Sequence, residues 1–341
     1  MKYNDYVEFA QKLLDSNRQI QYINKTKDND YVTGKKYLEG YLCKRNLSFT
    51  PYIYNECSAA CQFCSEHLIR NKKAMVCGEV NEGYFKKLRE ILNDLNELEI
   101  FLSLSGKEPT ESLDFVEGIL KCVKDFELSG GRITEKVMYS NLSGLVENME
   151  RMKELVEKYH MDRIECSRHH YDEEKNQSIV RFKNSSMKQN VVFEDVVKEL
   201  LNFIDIKMVC VIQKGGIEEI NQIKKYLDWA KSMGISQVVF RELALFDDGV
   251  EQNVTSDYIV NHRVEIKTVL DNLDEDFAIG TITKGYYYMS FEYDYKGMKV
   301  WFEMSDYEEM LKKHKSDKVY KLIYYPNGKL CLDWNMNGEI F

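Results

Sequence analysis

From Phe49 to Leu245 the chain alternates short β-type runs with longer amphipathic stretches, and no other feature restricts its fold as much. Strand-like runs stand at Tyr52–Tyr54, Leu98–Leu104, Lys136–Tyr139, Arg163–Cys166, Ile206–Ile212 and Gln237–Arg241. Between them lie helical periodicities, from about Val80 to Leu95 and over Leu113–Phe126, Gly144–Tyr159, Glu194–Phe203 and Ile217–Met233. Strands alternating with helices of this length imply right-handed βαβ units and a parallel sheet. Six such units in succession predict an α/β fold, a partial (β/α)6 TIM-like barrel. In barrels of this kind the strands' C-terminal ends carry the chemistry.

The pattern sets three segments. Residues 1–49 read as an N-terminal helical extension whose first helix spans residues 4–18, and residues 50–250 read as the core barrel. Residues 251–341 read as a small α+β C-terminal extension with two β-hairpins, the second turning at Asn327-Gly328, a strong hairpin signal.

Cys57, Cys61 and Cys64 fall within eight residues, spaced C-x3-C-x2-C, directly after the first core strand. Three thiolates on one loop can hold three corners of a [4Fe–4S] cube. Cys77, thirteen residues beyond Cys64, is too distant to be a fourth ligand of the same loop. One iron is then open to a small molecule, whereas electron-transfer clusters are closed by four cysteines. Zinc is the competing occupant, with His67 as a fourth ligand, although zinc sites are more often built from two separated pairs. Disulfides fit poorly with nine scattered cysteines and no signal peptide, a pattern of a reducing compartment.

The cysteine run, with Phe63 just before its third member, resembles that of the radical S-adenosylmethionine (SAM) enzymes. The resemblance extends from about Phe49 to Leu245, and its core is similar to molybdenum-cofactor-type members. It implies a [4Fe–4S] cluster and SAM as cofactors, with SAM chelated at the open iron and cleaved to a 5′-deoxyadenosyl radical. It also implies a cofactor-binding role for Ser105, Gly106, Lys107 and Glu108, at a Gly-Gly-Glu-Pro-like turn in which Ser105 and Lys107 depart from the pattern. By the same resemblance Ser140 and Asn141 contact the ribose or substrate, and Ser167 and Arg168 hold SAM or a substrate acid. Val211 and Ile212 lie where relatives pack the adenine, and Arg241-Glu242 where they carry a similar pair. Cys-rich tails for auxiliary clusters are missing.

His169 and His170 are candidates for proton transfer, and Cys77 and Cys331 for returning a hydrogen atom to a substrate radical. The ordinary alternatives are buried inert thiols and, for Arg241-Glu242, a structural ion pair. Tyr286–Tyr288 and Trp301 either line a substrate site or pack a sheet.

A net charge of −9 disfavours nucleic acid as a partner, although Arg70-Asn-Lys-Lys73 offers a local basic patch to an acidic electron donor. No apolar run reaches membrane-spanning length, and a soluble, cytoplasmic enzyme is expected. Its substrate is expected to be a small molecule or short peptide, and its electron donor a flavodoxin- or ferredoxin-type protein. The alternatives are modification of a macromolecule, or a zinc- or iron–sulfur-binding regulatory protein without catalysis.

Overall fold

The computed structural model describes residues 1–26, 30–54, 56–69, 82–246, 250–332 and 334. After helix α1 (Tyr3–Ser16) come two short strands, β1 (Gln21–Asn24) and β2 (Tyr31–Thr33), and then the barrel. Its strands are β3 (Leu42–Ile53), β4 (Glu99–Gly106), β5 (Arg132–Ser140), β6 (Arg163–Ser167), β7 (Asp205–Ile212) and β8 (Gln237–Glu242). Each pairs in parallel with the next. Helices α2 (Glu82–Asp94), α3 (Leu113–Leu128), α4 (Leu145–Tyr159), α5 (Glu173–Val180), α6 (Asn190–Leu200) and α7 (Ile220–Ser232) make the crossovers. This is the expected α/β partial barrel.

Two departures concern the ends of the chain. The first core strand begins at Leu42, ten residues earlier than its apolar tip at Tyr52 indicates, because the polar run Lys44-Arg45-Asn46 interrupts its first half. The C-terminal segment does not stand beside the barrel as a separate antiparallel element. After α8 (Val254–His262) and α9 (Ile266–Leu270), strands β9 (Phe277–Lys284), β10 (Tyr288–Tyr295) and β11 (Met298–Ser305) form a meander. Its last strand pairs in parallel with β8. Helix α10 (Tyr307–His314) then crosses to β12 (Lys318–Tyr324), which pairs in parallel with β3 at the opposite edge. The second hairpin closes with β13 (Leu330–Cys331).

The barrel therefore counts eight parallel strands in chain order, β3 to β8, β11 and β12. The far edge of β11 is occupied by β10, and among the described residues no ladder joins β11 to β12. Side chains span that opening: the Tyr286 and Tyr320 rings stack at 4.3 Å between centroids, and the Tyr286 hydroxyl lies 3.3 Å from His314 Nε2. One sheet thus contains residues from all three segments, since β1 also pairs with β9.

Strand alternation sorts the side chains. On β3, Leu47 and Phe49 face the helices and are fully buried, and burying a side chain of that size stabilises the fold by roughly 1.5–3 kcal/mol. Asn46, Ser48 and Thr50 face the interior. Closed TIM barrels fill the same space with layers of branched apolar side chains. Here the polar inward positions leave a chamber of about 1200 Å³. No helix among the described residues is long and apolar enough to cross a membrane.

Candidate active site

The cysteine loop leaves the C-terminal end of β3 at the rim of this chamber, and Cys57, Cys61 and Cys64 are each half-buried. Backbone bonds fasten its outer side to the C-terminal end of α5 and the residues just after it: Ala60 N–H donates to Val180 O, Gln62 N–H to Ile179 O, and Lys183 N–H to Ser58 O. Glu111 holds the inner side, accepting from Ser58 N–H at 3.0 Å and from the Ser143 hydroxyl at 2.5 Å. Both braces escaped the sequence reading. The first is made of backbone groups, which no residue pattern marks, and Glu111 belongs to no motif.

Burial pushes the Cys57 thiol up to about 11, with Glu108, Glu111 and Cys64 adding to the effect. Burial, Cys64 and Cys57 raise Cys61 further. Cys57 and Cys61 are thus thiols rather than thiolates until a metal displaces their protons. Among the described residues no group of three His, Cys, Asp or Glu side chains converges as a single ion requires. A cubane asks for a wider triangle, with one thiolate on each of three irons, and the donor set suits it. His67, the other ligand considered for zinc, lies with Nδ1 3.2 Å from Thr255 Oγ1 on α8. Cys57, Cys61 and Cys64 would hold the cluster.

The turn after β4 clasps the root of this loop. Lys107 N–H donates to Ile53 O at 3.0 Å, and Gly106 adopts φ +134°, with Ile53 O only 2.4 Å from where a Cβ would stand. Only glycine allows that conformation and that approach. Ser105 and Gly106 line the chamber, whereas Lys107 Nζ lies over the Tyr54 ring at 4.4 Å.

Glu108 is buried, and its carboxylate accepts from Thr110 N–H (3.1 Å), the Thr110 hydroxyl (2.6 Å), Asn141 N–H (2.7 Å) and the Ser140 hydroxyl. Burial raises its pKa while these bonds pull it down. Glu108 and Ser140 therefore join the ends of β4 and β5. Asn141 is carried by that junction: its Nδ2 lies 3.7 Å from Cys57 Sγ, and its Oδ1 caps Ser143 N–H.

On β6, Arg163 and Glu165 line the chamber and Ser167 shares their side by alternation. Arg168 lies on the other side. It is 1% exposed, donates to Met187 O at 2.8 Å and to Asn190 Oδ1, and packs on the Phe193 ring. Its guanidinium, expected to hold SAM or a substrate acid, braces the 187–190 segment outside the chamber.

His169 Nδ1 accepts from Val211 N–H at 3.0 Å, which leaves its proton on Nε2, and its ring meets Phe63 edge-on at 4.9 Å. Burial and Arg168 push its pKa down to about 3. His170 Nδ1 accepts from Asp172 N–H at 2.8 Å, and burial and Lys175 hold it at about 4. Both are neutral imidazoles at pH 7, able to donate from Nε2 but poorly placed to carry a proton there.

Val211 faces inward into an apolar patch with Phe63, Leu68, Leu243 and Val250, while Ile212 faces the helices. Arg241 and Glu242 diverge in the same way. Arg241 points into the chamber, bridging Glu165 (2.9 Å) and Glu303 (3.0 Å), and Glu242 points outward to Arg263 and Tyr6. Tyr286–Tyr288 line the chamber's open side. Cys331 is buried with Tyr52, Ile323 and Tyr325. Cys77 and the Arg70–Lys73 patch lie outside the described residues.

No family model matches the chain, and no curated protein does. Among solved structures it aligns with native anSMEcpe with bound AdoMet at 14% identity and TM-score 0.44, over 57% of this chain and 50% of that one. The FeFe-hydrogenase maturase HydG from Carboxydothermus hydrogenoformans gives 15% and 0.43, over 63% and 50%. A radical SAM methyltransferase from Sphaerobacter thermophilus gives 11% and 0.38, over 70% and 65%. The alignment spans about half the length of the first two structures.

Proposed function

We propose that this chain is a radical SAM enzyme whose substrate is a small metabolite or a short peptide. The observation that supports it most is the placement of the Cys57, Cys61 and Cys64 thiols on one short loop, the first βα loop, at the mouth of a hollow parallel barrel. Thiols at that spacing and exposure take iron and sulfide, and the unligated iron is where SAM would chelate. A cluster held by Cys57, Cys61 and Cys64 would supply one electron, drawn from a flavodoxin- or ferredoxin-type donor, for reductive cleavage of SAM to methionine and a 5′-deoxyadenosyl radical.

The chain's own residues do the positioning. The Gly106–Lys107 backbone brings the β4 turn against the loop, and Glu108 sets Asn141 beside Cys57. The patch of Phe63, Val211 and Leu243 offers an apolar face to the adenine. Ser105 and Ser167 present hydroxyls on the inner side. His169 and His170 act as neutral Nε2 donors toward SAM or substrate, and Cys77 and Cys331 stay candidates for hydrogen-atom return.

Anaerobic reconstitution should give about four iron and four sulfide per chain, and dithionite with SAM should then release 5′-deoxyadenosine. Replacing Cys57, Cys61 and Cys64 together with Ala should abolish both. Stoichiometric zinc in the native protein, or iron retained by the triple variant, refutes the proposal.

A further inference from the structure

The turn after β5 is strained and braced at once. Leu142 stands there at φ +66°, in the left-handed region that bulky residues rarely enter. It is fully buried, and its N–H donates to the Ser140 hydroxyl at 2.8 Å. Two residues on, Gly144 packs so closely on the preceding turn that a Cβ would stand 2.1 Å from Thr110 O. A strained backbone persists only where its surroundings hold it, and such places cluster at functional sites.

The turn holds Asn141. Its N–H donates to Glu108 Oε2 at 2.7 Å, and its Oδ1 accepts from Ser143 N–H at 2.9 Å. The second bond fixes which way the amide faces, because an oxygen must meet that donor and the other end is then the NH2. That end points to Cys57, with Nδ2 3.7 Å from Sγ, within reach of a hydrogen bond to sulfur. Ala59 N–H acts on the same sulfur, drawing the Cys57 pKa down while burial and the carboxylates of Glu108 and Glu111 push it up. The Cys57 sulfur thus feels two N–H donors and two carboxylates. A thiolate accepts such a bond more strongly than a thiol does. In an iron–sulfur centre, donors to the sulfurs stabilise the extra negative charge of the reduced state and so raise the potential.

We infer that Asn141 is a positioning residue for the cluster: its Nδ2 donates to the Cys57 thiolate and raises the reduction potential of the iron centre. This rests on the radical SAM reading, in which Cys57 ligates the cluster. The amide of Asn141 is then spent on a ligand sulfur and is not the ribose or substrate contact that the resemblance implies. The Leu142 strain and the Glu108 and Ser143 bonds together keep the amide aimed at that sulfur.

The test measures the midpoint potential of the full chain after anaerobic reconstitution, by a redox titration followed by electron paramagnetic resonance without SAM. Iron, sulfide, melting temperature and SAM affinity are measured on the same samples. Asn141→Leu removes the donor to Cys57 and the cap on Ser143 together. Asn141→Asp keeps an oxygen for Ser143 N–H, removes the donor and adds a negative charge. Both should make the cluster harder to reduce. The Leu variant should shift the reduction equilibrium threefold to tenfold, a fall of about 28–59 mV at 59 mV per tenfold for one electron, and the Asp variant should shift it further. The potential reads only the clusters that assemble, so partial occupancy in a variant does not alter it. A role confined to capping would lower the melting temperature of the Leu variant and move neither potential. The inference is overturned if both variants keep the parent's potential, and a fall in SAM affinity alone would assign Asn141 to the cofactor. A parent chain that assembles no cluster sinks the radical SAM reading and this inference with it, whereas a parent with a cluster and variants with unmoved potentials sink this inference alone.

Discussion

Glu108 offers the sharpest test of how the site is assembled. Replacing it with Ala strands two backbone donors, Thr110 N–H and Asn141 N–H, in a buried junction. Each unsatisfied amide costs about 1–3 kcal/mol. The hydroxyls lose less, since Ser140 and Thr110 lie 3.5 Å apart and can turn toward each other. Against this, removing a carboxylate whose pKa is raised by burial returns part of its desolvation cost. The net loss for Glu108→Ala should be about 2–4 kcal/mol. At roughly 2 °C per kcal/mol, the lower end for larger proteins, the melting temperature should fall by about 4–8 °C. Glu108→Gln keeps the shape but turns an NH2 toward one of the donors, and should lose a similar amount. Scanning calorimetry on both variants, with Thr110→Val and the Glu108→Ala/Thr110→Val double variant, completes a cycle in which the pair should couple by about 0.5–3 kcal/mol. Because Asn141 is carried on the same junction, iron retained after reconstitution should fall as well. Melting within a degree of the parent, or strict additivity in the cycle, would show that the β4–β5 junction does not depend on this carboxylate.

The remaining expectations concern β6 and its loop. His169 and His170, held at about 3 and about 4, are neutral in the fold, whereas they titrate near 6.5 in the unfolded chain. Their contribution is therefore fully present above pH 6.5 and is lost as pH falls toward 4, by up to about 1.4 kcal/mol per pH unit for each. Urea midpoints across that window should decline, and a His170→Asn variant should decline less steeply; parallel profiles would contradict the burial argument. Arg168→Ala, which leaves Met187 O and Asn190 Oδ1 without their donor, should destabilise the fold by about 3–5 kcal/mol. Arg168→Lys should do so by about 1–2 kcal/mol, since an ammonium cannot bridge both acceptors. In either variant that still folds, iron content and SAM affinity should stay at the parent's values, and a selective rise in the SAM dissociation constant would return Arg168 to the ligand.

The parallel units were legible because each helix repeats its apolar residues at helical spacing and each inner strand is short and apolar. The role of β12 was not, because a hairpin signal such as Asn327-Gly328 says which two runs are joined, not which third strand they lie against. Tyr320–Tyr325 was readable as a strand, but its parallel partner lies in residues 42–51. At the site, the cysteine spacing pointed to the ligand loop, and glycine at 106 marked a close approach that the Ile53 carbonyl accounts for. Side-chain direction was harder to read. Ser167 and Arg168 are adjacent in sequence, and so are Arg241 and Glu242, yet in each pair one member faces the chamber and the other the helices. Alternation settles that once the inward register is known, and the polar residues lining the chamber blurred which register was inward.

The crossover through α10 also governs the order in which the fold can be completed. β3 carries the cysteine loop at its tip, and one of its edges meets β4 after a short stretch of chain. The other waits for β12, which begins 276 residues after β3 begins. Contacts so distant in sequence form slowly, because a long loop must close before they repay it. Until residues 318–324 emerge from synthesis, the strand that presents the three thiols keeps an open edge, exposed to mispairing with other chains. Loss of the C-terminal hairpin would thus be felt first in nascent chains, as aggregation and poor yield.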